Sequence, residues 1–180
     1  ENGKMKSGDI VDPFELKRLV SSVIEGRGTK LRREIIPNNV LISDGEIIVW
    51  YQPSKKAPLW VAAHGDRKML PIIWPSILFF INVHTKSFNC LALDSDERPT
   101  LESFVYDLPF PNAYHNGGFC LGSAHLPSNI CMATLADIES CVYDAIKTHS
   151  SNPQAIKNGE QPTAFWSRRV KNARINRPAN

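Results

Sequence analysis

The sequence predicts a single domain of the α+β class. Its 180 residues are enough for one core. A helical pattern comes first, strand patterns joined by short links come next, and a second helical pattern follows; this segregated order favours helices beside an antiparallel sheet. Apolar residues make up 42% and charged residues 22%, which is typical of a globular protein and excludes a disordered chain, a collagen-like repeat and a coiled coil.

The first predicted element is an amphipathic helix over residues 13–25. Asp12 stands at the N-cap position, Pro13 at the first helical position, and Gly26 is placed to end the helix. Glu15 lies three residues after the cap, close to a capping-box pattern. The apolar side chains that share one face are Leu16, Leu19, Val20, Val23 and Ile24.

Four strands are predicted after this helix. Residues 38–53 form two strands around an Asp44-Gly45 turn, which is a strong hairpin signal. Residues 59–64 form a third strand, and the stretch that ends FNCLALDSD contains a fourth. Because the strands follow one another with short links, we expect a four-stranded antiparallel meander.

The rest of the chain is divided between an irregular segment and helices. Residues 94–118 are rich in proline, asparagine and glycine, and a long irregular stretch in a small domain is usually functional. Residues 135–147 have a helical pattern with Thr134 at the N-cap position, and residues 162–174 give a weak helix signal. We therefore predict a folded domain over residues 1–150 and a basic extension over 151–180.

The distribution of charge and of apolar residues indicates where the protein is located and which classes of partner it binds. Five basic residues of the extension account for the net charge of +3, so the basic character belongs to a tail and not to a nucleic-acid-binding face. A solvated tail is the favoured interpretation, and a tail that binds an acidic partner or a nucleic acid is the alternative. The apolar run over residues 70–83 is shorter than the ~20 residues of a membrane-spanning helix and is broken by Pro71 and Pro75. No apolar leader is seen at the start, so we expect a cytoplasmic protein that does not bind membranes.

One of the four cysteines is a candidate nucleophile. The four cysteines form no CxxC pair, and a cysteine content this low favours a reducing compartment. Cys120 is preceded by Gly117 and Gly118 and followed by Gly122 and Ser123. Its thiol therefore lies in a flexible, turn-rich segment. Cys90 and Cys141 fall instead in apolar strand and helix patterns. Exposure favours reactivity, because the thiolate is the nucleophile.

The segment around Cys120 resembles the active site of the ubiquitin-conjugating enzymes. In that family His-Pro-Asn is followed by seven residues, the nucleophilic cysteine and a leucine. Here Pro111 and Asn112 are followed by seven residues, Cys120 and Leu121, with Gly117 at the glycine position of the family. The order of helix, four-strand meander, irregular segment and helices is also that of the ubiquitin-conjugating fold.

The closer resemblance is to the prokaryotic conjugating-enzyme family D, which includes the PRTRC system protein B, and it covers roughly residues 35–150. The features that carry it are a Trp-Tyr-x-Pro strand end (50–53), an Arg-Pro-Thr turn (98–100), a Pro-Phe-x-Asn sequence, and Cys-Leu-Gly (120–122). Thr148-His149 is similar to the Thr-His end of that family. Phe110 departs from the larger family, which has histidine there.

The resemblance implies a role for each matching residue. Cys120 would carry a ubiquitin-like protein as a thioester, and Asn112 would either donate to the oxyanion or brace the loop. Phe110, Pro111, Gly117, Gly118, Leu121 and Gly122 would shape that loop. Because the acidic residue that many eukaryotic members place after the cysteine is missing, His115, His125 or Ser123 could assist proton transfer or shape the site.

The resemblance also implies partners. These are a ThiF-type activating enzyme, a small ubiquitin-like protein, and a JAB-type protease encoded nearby in a plasmid-linked or antiphage operon. The helix over 13–25 would face the activating enzyme, with Lys17 and Arg18 as contacts. No metal or nucleotide is expected in this chain, since the activating enzyme consumes the ATP.

Other functions stay open at this point. An inactive protein of the same fold would bind a ubiquitin-like protein or an activating enzyme without forming a thioester. A cysteine hydrolase would pair Cys120 with His115 or His125, each five residues away. A zinc site from these residues and Cys131 has suitable ligand types but matches no common ligand spacing.

Overall fold

A computed structural model describes residues 35–63, 66–149 and 151–175. The predicted helix over 13–25, with Lys17 and Arg18, lies outside these residues. Within them, helices and antiparallel sheets are combined as the α+β class requires. No helix in this part of the chain is long and apolar enough to cross a membrane.

The main sheet has five antiparallel strands in the order β1-β2-β5-β6-β7. The Asp44-Gly45 turn joins β1 to β2 as predicted, with the Asp44 carboxylate accepting from the N–H groups of Glu46 and Ile47. The five strands are β1 (Val40–Ser43), β2 (Ile47–Gln52), β5 (Ile77–Asn82), β6 (Phe88–Leu93) and β7 (Val105–Tyr106).

A separate hairpin of β3 (Lys55–Ala63) and β4 (Asp66–Trp74) stands between β2 and β5 in sequence. The predicted four-stranded meander is therefore wrong in its order, because β3 pairs with β4 and β2 pairs with β5. Two prolines disfavour the pairing of this hairpin with the main sheet. Pro58 lies opposite Pro71, and since neither has an N–H, the pair fits only where N–H groups point away from the partner strand. The outer edge of each strand therefore lacks a donor at that proline.

The helix α1 (Leu135–Tyr143) packs on the main sheet. Its buried Glu139 carboxylate accepts from Trp50 Nε1 at 2.9 Å and Gln52 Nε2 at 2.8 Å, which pins the helix to β2. A 3₁₀ turn, Met132–Thr134, precedes it. The helix ends four residues before the predicted boundary at 147, because the backbone of Lys147 pairs with the outer edge of β3 instead.

The last element is α2 (Pro162–Ile175), over the stretch with the weak helix signal. Trp166 is buried: it stacks on Phe110 at 5.3 Å between ring centroids and donates from Nε1 to the Pro109 carbonyl at 2.6 Å. Two short 3₁₀ turns, Pro153–Ala155 and Lys157–Gly159, lead into this helix. The division into a domain over 1–150 and an extension over 151–180 stays a prediction.

Candidate active site

Residues 112–120 form a small hairpin that ends at Cys120. Cys120 N–H donates to the Asn112 carbonyl at 2.8 Å, Ala113 pairs with Phe119, and Tyr114 N–H donates to the Gly118 carbonyl at 2.8 Å. This part of the stretch predicted to be irregular therefore has local order. It is too short, and too rich in asparagine and glycine, to give a strand signal in the sequence.

The hairpin is attached to the main sheet through its glycines. Cys90 N–H donates to the Gly117 carbonyl at 2.7 Å, and Gly118 pairs with Asn89 of β6. Gly117 has φ 79°, and a Cβ at this position would lie 3.0 Å from Leu91 Cδ2. Glycine is required here both for the backbone conformation and for the close approach to β6.

Asn112 is the centre of the hydrogen bonding at the site. Its side chain is 1% exposed and its φ is 71°, a conformation that asparagine tolerates better than most residues. Nδ2 donates to the carbonyls of Cys120 at 3.2 Å and Ile146 at 3.3 Å, and Oδ1 accepts from Thr148 N–H at 2.9 Å and His149 N–H at 3.3 Å. Asn112 thus ties the cysteine segment to residues 146–149.

The neighbours of Asn112 are also buried. Phe110 is 1% exposed between Trp74, at 4.4 Å between centroids, and Trp166. Pro111 is buried beside it. The residue that departs from the family histidine is thus an aromatic core residue, and it holds α2 against the loop.

His115 lies at the tip of the hairpin. Its Nδ1 is 2.8 Å from Asp107 Oδ2, and that oxygen also accepts from Asn152 Nδ2 at 2.7 Å. The tip is three residues beyond the Asn112–Cys120 pair, a separation of about 10 Å at strand spacing. His115 is therefore held by Asp107 in this structure and forms no hydrogen bond with Cys120.

The four thiols lie in different environments. Cys90 is 1% and Cys141 is 7% exposed, and burial raises the pKa of both thiols. Cys131 is half-buried, where its Sγ lies 3.5 Å from Asn129 Nδ2 at the start of α1. Cys120 is also half-buried. It is the thiol that directly follows the braced hairpin and directly precedes an open surface.

That open surface is a groove of about 650 Å³. The chain after Cys120 forms one wall, including Gly122, Ser123 and His125, which are all exposed. Asp137 and Asp144 line it from the side of α1, and Arg67 lines it from the hairpin β3–β4.

Sequence reasoning missed Asp137, Asp144 and Arg67, because their approach to the groove depends on tertiary packing. From the sequence, Thr148-His149 was only a point of resemblance to the family. In the structure the N–H groups of both residues donate to Asn112 Oδ1. Among the described residues, no group of three or more His, Cys, Asp or Glu could hold a metal ion. His115, His125, Cys120 and Cys131 do not form the zinc site considered from the sequence.

A comparison with protein families identifies the class of protein. Residues 15–178 match the model of prokaryotic E2 family D, so the chain belongs to this bacterial branch of ubiquitin-conjugating-enzyme-like proteins. Membership indicates a carrier of a ubiquitin-like protein or a related role, with conjugating-enzyme-like activity and interaction with a ubiquitin-like protein and an activating enzyme in general. No curated protein and no solved structure shows significant similarity to the chain.

Proposed function

We propose that this protein carries a ubiquitin-like protein as a thioester on Cys120 and transfers it to an amine. The observation that carries the proposal is the position of the half-buried Cys120, which ends a hydrogen-bonded hairpin and directly precedes the chain segment that lines an open groove. Burial raises the pKa of the thiols of Cys90 and Cys141, which makes both poor nucleophiles. Family membership supports the same function.

Loading is a thiol exchange. The Cys120 thiolate attacks the thioester carbonyl that joins the ubiquitin-like protein to a cysteine of the activating enzyme. A tetrahedral oxyanion forms, the C–S bond to the activating enzyme breaks, and that enzyme leaves as a thiolate. Because a thioester is already activated, this step needs no strong base beside Cys120.

In this mechanism Asn112 is a positioning residue. Both N–H groups of its amide already donate, to the carbonyls of Cys120 and Ile146. We therefore assign it the bracing role, and the alternative of donation to the oxyanion would require these two bonds to break. A fixed loop keeps the thioester in the geometry of attack, which lowers the entropic cost of transfer.

The groove is the proposed approach for the acceptor. Its amine attacks the thioester carbonyl, Cys120 leaves as a thiolate, and the amine loses one proton. The groove is lined by the carboxylates of Asp137 and Asp144 and by the guanidinium of Arg67, and the two carboxylates outweigh the one cation and would attract a lysine ammonium. His125 and Ser123 lie on the same surface and are candidates to shape it or assist proton loss.

The same proposal includes the partner proteins, the operon and the cellular location. The activating enzyme is of the ThiF type, a JAB-type protease reverses the modification, and the genes lie in a PRTRC-like or antiphage operon in a cytoplasmic pathway. Lys17 and Arg18 are the proposed contacts with the activating enzyme. No metal or cofactor is assigned to this chain.

A thioester assay with activating enzyme, ubiquitin-like protein and ATP tests the proposal. Wild type should form a reductant-sensitive adduct, Cys120→Ala should form none, and Cys120→Ser should form a reductant-stable ester. Cys131→Ser is the matched control, since Cys131 is the other half-buried thiol, and it should load normally.

Two other results would overturn the proposal. An absent adduct with an active cognate pair, together with retained binding to the ubiquitin-like protein, would identify an inactive binding module. Cleavage of a ubiquitin-like precursor that depends on Cys120 would identify a cysteine hydrolase.

A further inference from the structure

Lys147 lies in the core of the protein. Its side chain is 0% exposed. Nζ donates to the carbonyls of Val142, Tyr143 and Ala145, the latter two at 3.2 and 2.7 Å. Three N–H donors thus meet three carbonyls at the end of α1, where a helix lacks intrahelical donors for its last carbonyls.

Lys147 also touches the elements that surround the site. Nζ lies 5.0 Å from the Trp74 ring centroid in β4 and 5.9 Å from that of Phe119, the residue before Cys120. Both of its backbone groups pair with β3: its N–H donates to the Trp60 carbonyl at 2.8 Å, and its carbonyl accepts from Ala62 N–H at 2.9 Å.

The neighbours of Lys147 in sequence are the partners of Asn112. The Ile146 carbonyl accepts from Asn112 Nδ2, and Thr148 N–H donates to Asn112 Oδ1. A movement of residues 146–148 would therefore change both ends of the Asn112 amide at once. Cys120 depends on the same amide, because its carbonyl is the other acceptor of Nδ2.

We propose that Lys147 is a positioning residue for Cys120: its ammonium gathers the carbonyls at the end of α1, fixes residues 146–148, and thereby holds Asn112 and the cysteine segment. A buried lysine with no such task would be replaced at little cost by an apolar residue, since burial of a charge is unfavourable. Only the catalytic consequence rests on the proposed function; the structural measurements below do not require thioester formation.

The charge of Lys147 should depend on pH. Burial lowers its pKa to about 7, against an opposing effect of Asp144 and Cys90, the titratable groups that face it from the end of α1 and from β6. Tyr143, which supplies one carbonyl, has a phenol whose pKa is raised by burial and stays neutral at this pH. Above about pH 7 the amine keeps two N–H donors for three carbonyls, so the coupled backbone should respond.

The first experiment compares Lys147→Met with Lys157→Met, the same substitution at an exposed lysine. In a folded Lys147→Met protein, amide hydrogen exchange at Thr148 and Cys120 should accelerate at least about tenfold, while exchange at Phe79 and Ile81 in β5 stays unchanged. With cognate partners, kcat for discharge should fall and KM should not. Unchanged exchange at Thr148 and Cys120 would overturn the proposal.

The second experiment uses the wild-type protein, so it does not depend on the variant folding. The ¹³Cε signal of Lys147 should titrate near pH 7, and the amide shifts of Thr148, Phe119 and Cys120 should follow the same midpoint. The histidine ring signals are recorded in the same titration as the control. Amide shifts that follow only the histidine midpoints, or that do not change, would refute the coupling.

Discussion

The chain on the two sides of Cys120 differs sharply. Before it, Phe110, Asn112 and Gly117 are buried: the first stacks on two tryptophans, the second bonds to residues 146–149, and the third bonds to β6. After it, Gly122 and Ser123 are exposed and line a groove. A carrier of a large acyl group needs both properties, because the thioester must be held still while a second protein approaches it.

Two glycines, one before and one after Cys120, show the same contrast between a packed side and an open side. Gly117 and Gly122 both have positive φ, at 79° and 61°. An added Cβ would meet Leu91 at Gly117 and nothing within 4 Å at Gly122. The same backbone conformation is therefore used for close packing before the thiol and for openness after it.

The largest expected effect comes from Phe110→Ala, which removes a ring packed between Trp74 and Trp166. We expect a loss of about 3–5 kcal/mol in the free energy of unfolding, because the cavity is bounded by two aromatic side chains. Urea unfolding measures the loss. Phe104→Ala is the control, since Phe104 is 68% exposed; equal losses in the two variants would contradict the buried role of Phe110.

The next effect is that of Asn112→Asp. The substitution keeps the shape but replaces the donor Nδ2 by an oxygen that faces the carbonyls of Cys120 and Ile146. We expect about 2–4 kcal/mol of destabilisation, together with a defect in discharge larger than that in loading, measured by single-turnover thioester kinetics.

Asn116→Asp is the matched control for this variant. Asn116 is an exposed asparagine of the same hairpin, and its Oδ1 accepts from Gly118 N–H. An aspartate keeps this acceptor. A discharge rate equally low in the two variants would argue against a specific brace at Asn112.

The paired glycine substitutions should differ by a smaller amount. Both Gly117→Ala and Gly122→Ala incur the ~1–2 kcal/mol cost of a left-handed conformation. Gly117→Ala should lose about 1–3 kcal/mol more, because its Cβ would also lie 3.0 Å from Leu91 Cδ2 and that side chain must shift. Thermal unfolding of the two variants side by side tests this, and equal losses would mean that Leu91 moves aside freely.

The smallest effects are expected on the open side. Ser123→Ala and His125→Gln should each change the free energy of unfolding by less than about 0.5 kcal/mol, because both side chains are exposed. Discharge to free lysine at pH 7 measures their part in transfer. A loss of about 100-fold for His125→Gln, the scale of general acid–base catalysis, would assign His125 the proton-transfer role, and an unchanged rate would exclude that role.

Local patterns predicted much of the fold. The hairpin at Asp44-Gly45 and the helix that begins at Leu135 lie where turn and capping residues indicated. The strand order could not be read locally, because β4 and β5 lie in and beside the proline-broken apolar run and were not predicted as strands, and a local pattern does not name a strand's partner. The early end of α1 at Tyr143 depends on the pairing of the Lys147 backbone with β3, which no helical periodicity reveals.

At the site, the sequence picked out the segment but not its contacts. Spacing and glycine content singled out Cys120 and Asn112, and the family resemblance supplied their proposed roles. The partners of Asn112 come from Ile146, Thr148 and His149, more than thirty residues away. Long-range contacts of this kind leave no local signal in one sequence.

The contact between Trp166 and the loop before Cys120 has a consequence for synthesis of the protein. A ribosome adds Pro109 and Phe110 long before Trp166, and domains fold as the chain emerges. Until Trp166 emerges, Phe110 lacks one of its stacked rings and the Pro109 carbonyl lacks its donor. If the proposed function holds, we expect a nascent chain to accept a ubiquitin-like protein on Cys120 only after α2 has been completed.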